Sequence, residues 1–294
     1  MQRTPQPVAC YYGWPSMVNG SDGDTERAAG YFEAFEATVL GDATLTPSGD
    51  PRAGELIARL GGRCRVFGYL SLGLGPGQPA WSDSSMARKF EQWVEMGASG
   101  LFLDCSGRDF GVSPRRLARA IDAAHRLDVP VVVNAWDPLD LLAPGITLHG
   151  SDGYLAENDV LRGGEFRLRR EYRQKLQEVE RCRRWLGISV WATGTLGRAD
   201  GAGTYEPELV DRIALAWAAA EARPPDYLAI ADPLYGAPDS RMPLPPHAGR
   251  PNAGATGVDA LRMGPGSLAG DESTTPRPPG GARSLLHGAA AREG

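Results

Sequence analysis

Short apolar runs alternate with helical patterns along most of this chain, and this alternation restricts the possible folds more than any other feature. Each run is too short for a helix and about right for a strand. The runs are apolar throughout, as expected of parallel strands buried on both faces. The eight predicted strands are Val8–Tyr12, Thr38–Leu40, Val66–Leu70, Leu101–Leu103, Val129–Val133, Gly153–Ala156, Leu186–Trp191 and Asp226–Ala231.

Between the strands, apolar residues recur at helical spacing and are framed by helix start and stop signals. Ser82 and Ser113-Pro114 are N-cap signals, as is Asp50-Pro51, and Gly61-Gly62 is a stop signal. The segment Leu139–Leu142 predicts a weak helix. Strands alternating with helices over roughly 230 residues predict a (β/α)8 barrel. A doubly wound open sheet is the rival, but the first strand runs into Tyr12-Gly13-Trp14-Pro15 without the glycine fingerprint typical of that fold.

The composition changes near residue 236 and sets the predicted domain limits. We expect a flexible N-terminus over residues 1–7, the barrel over 8–236, and a tail over 237–294. The tail is rich in Pro, Gly and Arg, and segments such as Met242–Pro246 show no apolar period. Such a composition buries too little surface to offset chain entropy, so we predict that the tail is disordered.

Charge and composition exclude several classes of partner. The net charge of −5 gives no basic surface for nucleic acid. No apolar run approaches the roughly 20 residues of a membrane span, and the first residues do not form a signal peptide. We therefore expect a cytoplasmic protein, or a secreted one if translation starts upstream. The sequence leaves the oligomeric state open.

Cysteine and histidine usage argues against a metal site and a disulfide framework. The four cysteines are scattered without a CxxC pair, and none of the four histidines directly follows a strand. A histidine metal site or a Ser-His-Asp arrangement is therefore not predicted. We expect no metal and no cofactor.

Two predicted strands end on a carboxylate. The run Leu101–Leu103 stops at Asp104, and the sixth strand ends at Glu157-Asn158-Asp159. The carboxyl ends of barrel strands carry the chemistry of this fold, which makes Asp104 the first functional candidate. The alternative is an Asp that only binds backbone N–H groups of its own loop.

In a barrel the strand ends converge on one face, where we expect a mixture of aromatic, amide and carboxylate side chains. The expected residues are Tyr11, Tyr12, Trp14, Tyr69, Asp104, Asn134, Trp136, Asp137, Glu157, Asn158 and Trp191. Aromatic rings pack on the apolar faces of sugars, and paired carboxylates perform glycoside hydrolysis. The catalytic candidates are Asp104 and Glu157. The candidates for substrate binding are Tyr12, Trp14, Tyr69, Asn134, Trp136, Asp137 and Asn158.

Some of these residues have structural alternatives. Trp14 and Trp136 are as consistent with core packing as with a site, and Asp137 precedes Pro138 and favours a turn cap. Trp93 and Trp217 lie on predicted helices and are interpreted as core residues.

Four segments resemble a group of bacterial and archaeal barrel proteins related to glycoside hydrolase family 114 and to spherulin-4 type proteins. They are YYGWPSMVNG from Tyr11, VFGYLSLG from Val66, MGASGLFLDCSGRDFGVS from Met96 and VPVVVNAWDP from Val129. The resemblance implies a (β/α)8 fold and, from characterised members, endo-α-1,4-polygalactosaminidase activity with retention. It also implies that Asp104 and Glu157 carry the chemistry. This chain departs from close relatives at Cys105, where they have Glu.

The sequence thus leaves two functions open. One is hydrolysis of an amino-sugar polysaccharide by two carboxylates that face one another across the barrel mouth. The other is a non-catalytic barrel that binds a saccharide or another partner. For the enzyme we expect Trp14, Tyr69 and Trp136 to line the mouth beside Asp104. We also expect Glu157 to be the less solvated carboxylate, because burial raises the pKa of an acid catalyst.

Overall fold

A computed structural model describes residues 4–45, 49–73, 81–167, 170–197, 203–232 and 241–246. Within these ranges eight parallel strands close into a barrel, which confirms the predicted (β/α)8 fold. The barrel strands are β1 (Gln6–Tyr11), β2 (Ala37–Leu40), β3 (Arg65–Ser71), β4 (Gly100–Asp104), β5 (Val131–Asn134), β6 (Gly153–Ala156), β9 (Ser189–Thr195) and β10 (Tyr227–Ala231). Strands β7 (Leu161–Arg162) and β8 (Glu165–Phe166) form a small antiparallel hairpin between β6 and β9. Each barrel strand pairs with its neighbour in chain order, and β1 pairs with β10 to close the ring.

The connections carry the predicted helices. They are α1 (Thr25–Phe32), α2 (Ala53–Leu60), α3 (Asp83–Glu95), α4 (Pro114–His125), α5 (Arg170–Leu186) and α6 (Pro207–Ala219). As predicted, the hydroxyls of Ser82 and Ser113 accept the N–H groups of Ser85 and Arg116 and cap α3 and α4. Asp50 differs from the prediction, because α2 begins three residues later. Its carboxylate accepts the N–H of Arg52 in the turn before the helix, and it also accepts the backbone N–H and the hydroxyl of Ser16, which ties two connections together.

After β5 the described residues form a 3-10 turn, Pro138–Leu142, in place of an α-helix. This outcome matches the weak helical signal of the segment. Asp137 accepts the N–H of Leu139 at the start of the turn, and Pro144-Gly145 follows shortly after its end. Proline at both ends leaves no room for a longer helix.

Side chains alternate between the two faces of the barrel wall, because successive residues of a strand point to opposite sides. The outward residues pack against the helices; Trp93 of α3, for example, lies directly on Gly68 of β3. A Cβ at Gly68 would come within 2.2 Å of the Trp93 ring, so only glycine permits this approach. The inward cluster consists of Val8, Cys10, Ala37, Val39, Phe67, Phe102, Val132, Leu155, Trp191, Ala229 and Ala231.

Aromatic residues fill the amino-terminal end of the barrel and form its floor. Trp191 lies 5.1 Å from Phe67 and 4.8 Å from Tyr227, measured between ring centroids. Arg65 donates a 3.0 Å hydrogen bond to the Tyr227 hydroxyl. The expectation that Trp191 lies at the mouth is therefore wrong. The strand that contains it continues to Thr195, which leaves Trp191 low in the barrel.

The ordered part of the chain extends beyond the predicted limits at both ends. Strand β1 begins at Gln6, inside the segment predicted to be flexible. Residues 241–246, predicted to belong to the tail, contact the barrel: Met242 is buried, and its backbone exchanges two 2.9 Å hydrogen bonds with the Asn19 side chain. Pro243 and Pro245 are also buried, and Leu244 exchanges backbone hydrogen bonds with residues 203 and 205. A few such contacts need no apolar period, which is why the composition gave no sign of them. The rest of the predicted tail, 237–240 and 247–294, lies outside the described residues.

Helices in the described ranges are all too short or too polar to cross a membrane. The four cysteines of the sequence fall within these ranges, and each is a free thiol.

Candidate active site

Asp104 is the last residue of β4 and points into the barrel, since it follows the inward residue Phe102 by two positions. The hydroxyl of Tyr69, on the adjacent strand β3, donates a 2.7 Å hydrogen bond to Asp104 Oδ2. Burial raises the pKa of Asp104, while the bonds from Tyr69 and from the backbone and thiol of Cys105 lower it. Asp104 is therefore a carboxylate at the barrel mouth with hydrogen bonds that favour its charged form.

The backbone of Tyr69 is held from outside the barrel. The indole N–H of Trp93, which packs on Gly68, donates a 3.2 Å hydrogen bond to the Tyr69 carbonyl. Trp93 is fully buried, as the sequence predicted for a core residue. A helix on the outer surface thus fixes the strand segment that presents the Tyr69 hydroxyl to Asp104.

Cys105 directly follows Asp104 and has a left-handed backbone, with φ of 49°. Its thiol contacts Ser71 and Asp104, and burial followed by the charge of Asp104 raises the pKa of the thiol well above its ordinary value. The protonated thiol is a hydrogen-bond donor to Asp104 and a poor nucleophile. Cys105 therefore supports the carboxylate and adds no charge to the site.

Glu157 follows β6 and also points inward, two positions after Leu155. Burial, and then the negative charges of Asp104 and Asp159, raise the pKa of Glu157 to about 8. The positive charge of Lys175 and a hydrogen bond from Asn134 oppose this rise. At neutral pH Glu157 is therefore mostly protonated and is able to donate a proton.

The structure brings the two carboxylates to the same inner surface. Each raises the pKa of the Cys10 thiol, an inward residue of β1 on the other side of the barrel. Asn134 at the end of β5 lies between them in strand order, and it is buried. Both carboxylates are partly buried, and the expectation that Glu157 is the less solvated one stays a prediction. The two residues differ in their surroundings, with hydrogen bonds to Asp104 and like charges around Glu157.

Asn158 holds the chain that follows Glu157. It has a left-handed backbone, with φ of 48°, and its N–H lies 3.2 Å from both the carbonyl and the hydroxyl oxygen of Thr193 on β9. Its side-chain amide donates a 3.3 Å bond to Glu157 Oε1. Asn158 was predicted to bind substrate, and in the structure it also contacts the candidate acid.

The predicted aromatic residues divide into two groups. Tyr12 and Tyr69 lie inward and contact each other edge to face at 5.1 Å. Tyr11 was expected at the mouth, but it points outward and packs against Phe32 of α1, because it alternates with the inward residues Cys10 and Tyr12. Trp14 is half-buried just beyond β1, and its role in substrate binding stays a prediction.

Trp136 and Asp137 follow β5 and have different surroundings. Trp136 is 48% exposed, and the Lys175 ammonium lies 4.0 Å from its ring centroid. The Asp137 carboxylate accepts the N–H of Leu139 at 2.8 Å and caps the 3-10 turn, the alternative that its position before Pro138 favoured. A substrate contact from Asp137 stays a prediction.

Sequence reasoning missed two charged residues at the site. The Lys175 ammonium on α5 lies 3.1 Å from Asp159 Oδ1, and both side chains are largely buried. In the sequence Asp159 was considered only as the end of a strand, and Lys175 was not considered for the site. The available signal was the rarity of lysine, since Lys89 and Lys175 are the two lysines of a chain whose other cations are arginines.

The hairpin β7–β8 covers the end of β9 next to this pair. The N–H of Gly163 donates to the Thr195 hydroxyl at 2.9 Å, and the N–H of Gly164 donates to the Thr195 carbonyl at 2.8 Å. Arg212 of α6 lies over the ring of Phe166 at 4.2 Å. The segment that contains Glu157 and Asp159 is therefore anchored at both ends. Within the described ranges no cluster of His, Cys, Asp or Glu side chains could hold a metal ion.

Comparison with known proteins shows the fold. No protein-family model and no curated protein matches this chain, so the resemblance to family 114 stays a prediction. The carboxyl transferase domain of Rhizobium etli pyruvate carboxylase is 12% identical with a TM-score of 0.51, over 82% of this chain and 42% of that chain. The glycoside hydrolase domain of PelA from Pseudomonas aeruginosa is 18% identical with a TM-score of 0.47, over 79% of this chain and 96% of that chain. Dihydrodipicolinate synthase from Thermotoga maritima is 13% identical with a TM-score of 0.43, over 80% of this chain and 73% of that chain. These barrels have different chemistries, and at such identities the likeness extends to the fold alone.

Proposed function

We propose that this protein is a glycoside hydrolase that cleaves an amino-sugar polysaccharide with retention, using Asp104 as the nucleophile and Glu157 as the acid and base. One observation carries the proposal. Two carboxylates face the inner surface of the barrel mouth, and burial raises the pKa of both; hydrogen bonds from Tyr69 and Cys105 limit this rise at Asp104, whereas like charges add to it at Glu157. Titratable pairs whose environments separate their pKa values identify the acid and the base of an active site.

In the first step Asp104 attacks the anomeric carbon of the bound sugar while Glu157 transfers its proton to the glycosidic oxygen. The bond between that carbon and oxygen breaks, and a covalent ester forms between the sugar and Asp104. The Tyr69 hydroxyl donates to Oδ2, and we assign the attack to the other oxygen, Oδ1. The pKa of Glu157, about 8, keeps the proton available near neutral pH.

In the second step Glu157, now a carboxylate, removes a proton from a water molecule. The resulting hydroxide attacks the anomeric carbon, and the ester bond to Asp104 breaks. Asp104 returns to its charged form and Glu157 to its protonated form. The charge of Lys175 favours the carboxylate that Glu157 becomes between the two steps.

The charges at the mouth support an amino sugar as substrate. Lys175 is paired with Asp159, and Glu157 is mostly protonated near neutral pH, which leaves the Asp104 carboxylate as the charge that faces a ligand. Such a site attracts a protonated amine and repels a uronic acid. The exposed ring of Trp136 offers an apolar surface for a sugar face.

A saccharide-binding barrel without turnover is the second candidate. The observation that favours it is the neutral thiol of Cys105, which stands where the family resemblance implies an acid. The contacts of Trp136 and Asn134 would serve binding as well as catalysis.

The deciding experiment is a reducing-end assay of the purified full chain on chitosan and polygalactosamine of varied acetylation. Asp104→Asn and Glu157→Gln should each reduce turnover roughly 10³-fold without loss of folding. Glu165→Gln, an exposed carboxylate on the hairpin, is the matched control and should retain full activity. Substrate binding without release of reducing ends in the wild-type protein would favour the second candidate. Inversion at the anomeric carbon would contradict the proposed role of Asp104.

A further inference from the structure

Lys175 is the one cation that contacts the segments following both β5 and β6 in the described part of the chain. Its Nζ lies 4.0 Å from the centroid of the Trp136 ring and 3.1 Å from Asp159 Oδ1. Trp136 comes two positions after Asn134, and Asp159 comes two positions after Glu157. One ammonium group thus joins the two loops that flank the candidate acid.

The Lys175 side chain is largely buried and is held in one position by its ion pair with Asp159. Its side chain is 14% exposed, and Asp159 is 3% exposed. An ion pair between long, exposed side chains contributes little, but a desolvated pair holds both partners in one geometry. Asp159 Oδ2 finds no hydrogen-bond partner among the described residues, so Lys175 is the main group that compensates the buried carboxylate.

The contact with Trp136 has a direct consequence for a sugar site. The ring is nearly half exposed and would otherwise be free to change rotamer at the mouth. An ammonium against one face fixes the ring through a cation–π interaction, which is stronger when the cation is desolvated. The remaining exposed surface of the ring then stays available in one orientation.

We propose that Lys175 is a positioning residue that holds Trp136 as the aromatic wall of the saccharide site and anchors the loop of Glu157 through Asp159. The inference rests on the proposed function for the identity of the ligand. The geometry distinguishes it from a simple structural contact, because both partners of Lys175 adjoin residues assigned to the site.

Lys175 also acts on Glu157 through its charge. The groups that face Glu157 are Asp104 on β4, Asn134 on β5, Asp159 on its own loop and Lys175 on α5, with the neutral thiols of Cys10 and Cys105 and the hydroxyl of Tyr154 nearby. Asp104 and Asp159 raise the pKa of Glu157, and Lys175 and Asn134 lower it. Loss of the ammonium therefore shifts the titration of Glu157 to higher pH.

The test compares Lys175→Met with Lys175→Arg in the full chain, with Lys89→Met as the control. Lys89, on α3, is the other lysine of the sequence and lies over a different tryptophan, Trp81, at 4.8 Å. We expect Lys175→Met to raise KM about tenfold with a smaller change in kcat, as loss of one cation–π contact and its ring orientation implies. Lys175→Arg should restore most of the loss, and Lys89→Met should change neither constant.

Two NMR measurements test the inference without any turnover. The indole N–H resonance of Trp136, assigned with Trp136→Phe, should shift in Lys175→Met while the other indole resonances stay in place. The titration of the Glu157 carboxyl, assigned with Glu157→Gln, should move to higher pH in the same variant. If Lys175→Met does not fold, Lys175→Met with Asp159→Asn removes both charges of the buried pair and serves for the measurement of the Trp136 resonance.

The outcomes separate this inference from the proposed function. An unchanged Trp136 resonance and an unchanged Glu157 titration would overturn the role of Lys175, even in an active enzyme. Shifts in both, in a protein that hydrolyses no glycan, would support the role of Lys175 and contradict the glycosidase.

Discussion

Cys105 and Asn158 share the same left-handed backbone conformation, with φ of 49° and 48°, and each directly follows one of the two carboxylates of the site. Residues other than glycine adopt this conformation at a cost, and it is frequent at functional sites. Here it turns the chain immediately after Asp104 and Glu157, so that each carboxylate stays on the inner face while the following residue joins its loop.

Asn158 is the position where this conformation is most easily tested. Asn158→Ala should destabilise the protein by about 1 kcal/mol, because alanine tolerates the left-handed region less well than asparagine. Asn158→Gly should be more stable than Asn158→Ala, since glycine adopts this region freely. Urea unfolding of the three proteins measures the difference. Equal stability of the Ala and Gly variants would argue that the backbone at Asn158 is not constrained.

Tyr69→Phe removes the hydroxyl that donates to Asp104 Oδ2 without changing the ring. The hydrogen bond lowers the pKa of Asp104, so its loss raises that pKa and moves the acidic limb of the pH profile of kcat/KM to higher pH. At a pH below the optimum, activity should fall about tenfold or more, as expected for a hydrogen bond to a charged group. The control is Tyr31→Phe on α1, which packs against the hydrophobic cluster between the helices and the barrel, and its profile should match the wild type.

Glu157→Gln should stabilise the protein at alkaline pH. The pKa of Glu157 is raised from its ordinary value of 4.5 to about 8, so the folded state binds a proton more tightly than the unfolded state. This contribution to stability is present in full below pH 4.5 and is lost as pH rises through about 8. Above pH 8 the variant should therefore exceed the wild type in Tm, and at pH 4.5 the two should agree within a degree or so. A constant difference across this range would contradict a raised pKa.

Met242 tests whether the segment 241–246 contributes to the stability of the barrel. Met242→Ala should destabilise the protein by about 2 kcal/mol or more, the usual cost of truncating a buried methionine. Met17→Ala is the matched control, because Met17 is 41% exposed, and it should change stability by less than about 0.5 kcal/mol. Denaturant unfolding measures both. Equal effects would show that the segment is not packed in solution.

The fold could be predicted because local signals agree with the global pattern. Every barrel strand lies within a few residues of an apolar run, and caps such as Ser82 and Ser113 mark the helix starts directly. The positions of Asp104 and Glu157 followed from the same signals, because a carboxylate at the carboxyl end of a barrel strand lies at the barrel mouth. These predictions depend on residues that are close in sequence.

The remaining features depend on contacts between distant parts of the chain. Tyr11 was misplaced because strand alternation was not applied to the pair Tyr11-Tyr12, although two adjacent residues cannot both point inward. Lys175 reaches the site from a helix 18 residues after Glu157, and no local pattern indicates where its side chain lies. Met242 contacts Asn19 across 223 residues of sequence.

The aromatic floor of the barrel determines the route by which a ligand travels. Phe67, Trp191 and Tyr227 close the amino-terminal end, and Arg65 is bonded across it to Tyr227. The barrel is therefore closed at this end, and a polymer cannot be threaded through it. Under the proposed function a long saccharide lies across the rim, and both fragments of a cut chain depart on the side from which the chain arrived.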